Sequence, residues 1–243
     1  MKRTLLALSM FSLLIAPAQG QEPPEGATFS QWVREDLFAG FMGDSKPEFE
    51  RGVAKIDEYL KAHPGDSGAM AWKASSDLYL AVRARESKKP ADYEKLLAKA
   101  MAEFEQAYRS APADGRGAAL AVTGGTAVVL GDRLAPESKT AFFTLARDRF
   151  VELERAQSAD FTKMPLHHQG EVLGGLTQME QRLGNLDGAA AYARRIVSTL
   201  AGSPYAKAAQ GFIDDPAARS APQLGCMTCH EEGRLANVIA AHK

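Results

Sequence analysis

The chain has 243 residues, of which 45% are hydrophobic and 24% charged, and its formal net charge is −1. This is ordinary globular usage, which excludes disorder throughout, and the near-neutral balance gives no electrostatic reason to expect nucleic acid as a partner.

Residues 1–20 read as a secretory signal: Lys2 and Arg3 form the positive end, Leu5 to Ala16 the apolar stretch, and Ala16-Pro17-Ala18 or Ala18-Gln19-Gly20 the small-residue cleavage site. Loss of Lys2 and Arg3 leaves the mature chain at −3. The apolar stretch is shorter than the roughly 20 residues that span a bilayer. No later segment replaces it, so a soluble, periplasmic mature chain with no integral membrane span is expected. Association with a membrane complex stays open. The absence of a cysteine near the cleavage site argues against a lipoprotein.

From there apolar residues recur three and four apart without strand alternation, and the expected class is all-α. The segment 21–44 holds a first helix, capped at Ser30 and running to about Gly43, with Trp32, Val33, Leu37, Phe38 and Phe41 on one side. Pro47 opens a second, which carries Phe49, Val53, Ile56 and Leu60 and stops at Pro64-Gly65. Further helices are predicted at about 67–87, 91–110, 115–131, 137–156, 165–183, 187–201 and 204–214, separated by Pro, Gly, Asp or Ser turns.

An internal repeat runs through 45–214. An apolar residue followed eight positions later by Pro or Ser occurs at Ile56/Pro64, Phe104/Pro112, Phe150/Ser158 and Ile196/Pro204, with starts 48, 46 and 46 residues apart. Asp66, Asp114 and Asp160 stand two residues after the first three breaks, where each is expected to cap the next helix. Gly68-Ala69 and Gly117-Ala118-Ala119 follow, small enough for close helix approach. Phe104-Glu-Gln-Ala-Tyr-Arg-Ser-Ala-Pro112 and Gly184-Asn-Leu-Asp-Gly-Ala-Ala-Ala-Tyr192 resemble tetratricopeptide-like repeats. The resemblance implies an antiparallel helix-hairpin solenoid, with repeats longer than the family's usual ~34 residues; the competing reading is a compact helical bundle.

Residues 215–225, Asp-Pro-Ala-Ala-Arg-Ser-Ala-Pro-Gln-Leu-Gly, read as a linker to a tail, 226–243. The tail opens with the chain's two cysteines, Cys226-Met227-Thr228-Cys229-His230, the Cys-x-x-Cys-His pattern of c-type haem attachment. Cysteines three apart lie about one helical turn from each other, so both sulfurs can reach the vinyl groups on one side of a porphyrin. His230, turned by about 100°, can face the iron as proximal ligand. A Cys226–Cys229 disulfide would leave His230 without a role, and zinc on Cys226, Cys229 and His242 would need an imported fourth ligand. The motif resembles that of cytochromes c, which implies one covalent haem c. Only 13 residues follow His230, and Met227 is the last methionine, so the usual distal methionine of small cytochromes c is missing.

The distal candidates are His168, His167 and His242. His242 lies about 18 Å from His230 along a continuous helix unless Gly233 breaks it. His63, before a Pro-Gly turn, reads as a charge partner of a helix C-terminus. Met42, Met70, Met101, Met164 and Met179 read as core residues, as do Trp32, Trp72, Tyr79, Phe104, Tyr108, Phe142, Phe143 and Phe150. Arg83, Arg85, Lys88 and Lys89 read as a solvated helix end, with redox-partner docking as the lesser reading. The expected function is electron transfer by an exported monohaem cytochrome whose helical repeats bind a redox partner protein, rather than an enzyme. The alternatives are a gas-binding or peroxidatic haem protein with an open distal site, and a helical adaptor whose haem is structural or absent. No nucleotide loop, hydrolase triad or metalloprotease motif occurs.

Overall fold

The structure, a computed structural model, describes residues 22–215. These fold into nine α-helices: α1 Phe29–Gly43, α2 Lys46–Ala62, α3 Ser67–Glu86, α4 Pro90–Ser110, α5 Gly117–Leu130, α6 Pro136–Gln157, α7 Leu166–Arg182, α8 Leu186–Thr199 and α9 Pro204–Asp214. Among the described residues there is no strand, and no helix is long and apolar enough to cross a membrane.

Helix starts follow local chemistry. Thr28, not Ser30, caps α1: its hydroxyl accepts from the Gln31 N–H while the Gln31 side chain accepts from the Thr28 N–H at 2.8 Å. Ser30 lies inside the helix, where its hydroxyl accepts from the Trp72 indole at 3.0 Å. Asp66 caps α3 as expected, accepting from the Ala69 N–H at 2.8 Å. Asp114 and Asp160 do not cap α5 and α7, because short 3-10 turns at Ala113–Gly115 and Phe161–Lys163 intervene. Proline fills an early helical position in α2, α4, α6 and α9, where its missing N–H costs nothing.

Consecutive helices pack in pairs, α1 with α2, α3 with α4, α5 with α6 and α7 with α8, and α9 closes on α8. Odd-numbered helices also pack on one another in chain order. Contacts between equivalent helices of successive pairs run forward along the chain by 35 to 51 residues. Tyr93–Ser138, Glu105–Arg149 and Tyr108–Glu152 join α4 to α6 across 45, 44 and 44 residues. Ser75–Thr126 joins α3 to α5 across 51, and Asp132–Arg182 ties the end of α5 to α7 across 50. Each pair is thus laid parallel on the next. The repeat residues Ile56, Phe104, Phe150 and Ile196 fall at matching places in α2, α4, α6 and α8, all buried in one continuous apolar core.

Glycine sets the closest approaches. A Cβ on Gly124 of α5 would lie 2.5 Å from Phe150 Cζ, and one on Gly175 of α7 would lie 2.4 Å from it, so the α6 ring is held between two helices that must lack side chains there. Gly68 meets the Ala118 methyl in the same way, with 3.0 Å left for a Cβ, as the small-residue runs foretell.

The C-terminal ends of α1, α3, α5 and α7 gather at one end of the molecule. Arg133, just after α5, donates to the Phe41 carbonyl at 2.7 Å and to Glu86 at 2.9 Å. Arg182, at the end of α7, donates to Asp132 at 3.0 Å.

Candidate functional site

Cys226, Cys229, His230 and His242 lie outside the described residues, as do the linker from residue 216 and the signal segment. What the structure places is their candidate partner set and the surfaces on which a haem-bearing tail could act.

His167 and His168 occupy the first turn of α7, with ring centroids 6.3 Å apart. Their situations differ. His167 is held at both nitrogens: Nδ1 lies 3.2 Å from the Tyr205 hydroxyl and Nε2 lies 3.1 Å from Glu171. Tyr205 is itself 1% exposed and packs over Gly170, where a Cβ would come within 2.4 Å of its ring. Iron ligation by His167 would have to break this chain of contacts. His168 is exposed and offers the more accessible imidazole. His63 is the C-terminal cap residue of α2, stacks on Tyr59 at 4.2 Å and meets Glu22 at 2.8 Å.

Of the methionines read as core, Met179 is fully buried and Met70, Met101 and Met164 are half-buried against the core, but Met42 is 49% exposed. It lies two residues before the Asp44 cap that ends α1, beyond the last buried position of that helix. The aromatic expectation holds for Trp72, Tyr79, Phe104, Phe142, Phe143 and Phe150, all buried. Trp32 and Tyr108 are half-buried at the rim, each under a cation: Lys55 at 5.2 Å from the Trp32 ring, and Arg149 and Arg116 at 3.6 and 4.3 Å from the Tyr108 ring.

The basic cluster separates into two parts. Arg83 pairs with Asp44 at 2.9 Å and Glu86 at 3.1 Å, and Arg85 donates to the Arg133 carbonyl at 2.9 Å. Both belong to the cross-links between helix ends. Lys88 and Lys89 are exposed and form no ion pair among the described residues. They stand at the mouth of a cleft of about 510 Å³ between α4 and the start of α6, floored by Tyr93, Leu97, Met101 and Ala135. Residue patterning alone does not reveal this cleft. Tyr93, Leu97 and Met101 follow an i, i+4, i+8 stripe that reads as core, and only the spacing between α4 and α6 leaves part of it open.

Two ionic clusters stabilise the hairpins. Asp36 of α1 accepts from Arg51 at 3.1 Å and Lys55 at 2.8 Å on α2. Burial pushes its pKa up, yet the two cationic donors prevail and hold it below the usual carboxylate value. In the α3–α4 hairpin, Lys99 binds Asp77 at 2.8 Å and Glu103 at 3.4 Å. Glu103 keeps one buried oxygen without a hydrogen-bond partner and is pushed up to about 7, first by burial and then by Asp77.

The donor chemistry of the tail fits haem c: two thiols for thioether bonds and one imidazole for iron. Among the described residues, the cleft between α4 and α6 is lined by apolar side chains together with Arg85, Lys88, Lys89, Glu94 and Glu137. Compared with protein-family models, curated proteins and solved structures, the chain matches none.

Proposed function

We propose that this chain is an exported, periplasmic monohaem c-type cytochrome that carries one electron at a time to or from a partner protein. The observation that carries the proposal is Cys226-Met227-Thr228-Cys229-His230, placed behind a linker and preceded in the same chain by a secretory signal. Haem c supplies a one-electron iron couple whose potential follows its axial ligands and surroundings. Cys226 and Cys229 would hold the macrocycle by thioether links, and His230 would bind the iron on the proximal side. In this proposal the helix pairs form a tetratricopeptide-like solenoid that docks the redox partner. The forward offsets between equivalent helices of successive pairs support that arrangement.

Anaerobic redox titration of the purified exported protein tests the proposal. A covalent haem spectrum that changes with potential as a one-electron couple is expected; a protein made in a haem-competent host and lacking such a band contradicts it. A second reading, an open sixth position that binds gas or peroxide, is favoured by the two contacts that occupy His167. Rapid carbon monoxide binding by the ferrous protein identifies it, while a six-coordinate carrier binds the gas slowly.

A further inference from the structure

The α4–α6 cleft has a shape and a charge pattern that the helical core does not require. Its volume, about 510 Å³, lies within the usual range for small-molecule sites. Its floor is rigid: the Tyr93 hydroxyl donates to Ser138 Oγ and accepts from the Ala135 N–H, each at 3.0 Å. Leu97 and Met101 complete an apolar wall that faces open space. Arg85, Lys88, Lys89, Glu94 and Glu137 also line the cleft. Arg85 is committed to the Arg133 carbonyl, whereas Lys88 and Lys89 are left for an occupant.

The chain itself supplies one. Helix α9 starts beside the first turn of α7, where Tyr205 meets His167, and follows α8, so it runs towards the end where α3 finishes and the cleft opens. Residues 216–225 can span at most about 33–36 Å when extended. The path from α9 past α7 and α6 to the α4 side of the cleft crosses up to three helix spacings of about 8–10 Å each, about 24–30 Å, so residues 226–243 can reach the cleft.

Resting on the haem proposal above, we propose that the cleft between α4 and α6 seats this chain's own haem-bearing tail, residues 226–243. Tyr93, Leu97 and Met101 would pack against the macrocycle, and Lys88 and Lys89 would meet its carboxylates.

The test places a photo-crosslinking amino acid at Ala98, an exposed position in the cleft lining, in the full-length haem-loaded protein. Covalent haem is scored separately, by staining after denaturing electrophoresis. An intramolecular crosslink from position 98 to residues 226–243 is expected. Lys88→Glu/Lys89→Glu should reduce its yield by at least about fivefold while leaving haem content and circular dichroism unchanged. A second variant, Ala98→Trp, fills the cleft from its exposed edge and should make trypsin cleavage after Arg234 faster. Haem-loaded protein with no such crosslink, or with crosslinks only to a second copy, overturns the docking and leaves the cytochrome reading standing. Protein without covalent haem overturns both.

Discussion

Glu103 carries the clearest titration in the described chain. Its buried oxygen has no donor when both carboxyl groups are ionised, since Lys99 must serve Asp77 and Glu103 together. With a proton on Glu103, the pair can share it and the cluster is neutral. Helix α5, also packed on α3, contributes no ionisable side chain, and Asp57 of α2 is already held by Lys73 at 2.7 Å. The folded-state value of about 7 stands above the ordinary 4.5, so the folded chain holds more protons than the unfolded chain between those values. Stability from this site is full below about 4.5 and is lost as pH rises through 7. After allowance for partial exposure and the shared proton, the loss is on the order of 1–2 kcal/mol, or about 2–4 °C per kcal/mol in a domain of this size. Thermal melts from pH 5 to pH 8 should show that decline, and Glu103→Gln should flatten it; an unchanged slope in the variant would assign the titration elsewhere.

At the scale of elements, Phe150 and its two glycines control how α5, α6 and α7 meet. Gly175→Ala places a methyl group inside the Phe150 ring contact and should cost about 1–3 kcal/mol in urea unfolding, with little change in helix content. Gly125→Ala, one residue from Gly124 but with open space at its Cβ, is the control and should be neutral or stabilising. The helices themselves are legible in the sequence because each is bounded by strong local signals: Pro90, Pro136 and Pro204 at starts, and Gly184 at φ +81° after α7. Their caps are less legible. An Asp two residues after a break looks the same whether an α-helix or a 3-10 turn follows, and at Asp114 and Asp160 it is the turn. Ser30 misleads because Thr28 and Gln31 form a complete capping box two residues earlier and leave its hydroxyl to Trp72. The cleft is illegible for a different reason. An apolar stripe states which face turns inward but not whether the neighbouring helix comes close enough to cover it, and that distance is set by residues such as Ala135 more than thirty positions away.

For the whole molecule, the proposed solenoid has a mechanical consequence that separates it from a compact bundle. In a stack of helix pairs most contacts are between neighbouring units, so a local defect stays local; here α5 also reaches past one pair to α1. Arg133 ties the end of α5 to α1 through the Phe41 carbonyl and to α3 through Glu86. Arg133→Ala should cost about 1–2 kcal/mol. Hydrogen exchange should rise in α1 to α5, while α8 and α9 keep their protection; a uniform rise through all helices would instead indicate one cooperative bundle. The proposed haem site is legible only as a motif, because it consists of five consecutive residues, Cys226 to His230, that lie after the helical repeat pattern.

That tail is where the account is most directly tested. Intact mass spectrometry of the exported protein from a haem-competent host reports signal removal and tail chemistry together. The account expects loss of about the first 20 residues and the added mass of one haem, abolished by Cys226→Ala/Cys229→Ala. A mature chain with two free thiols, or with a bond between Cys226 and Cys229, would contradict it.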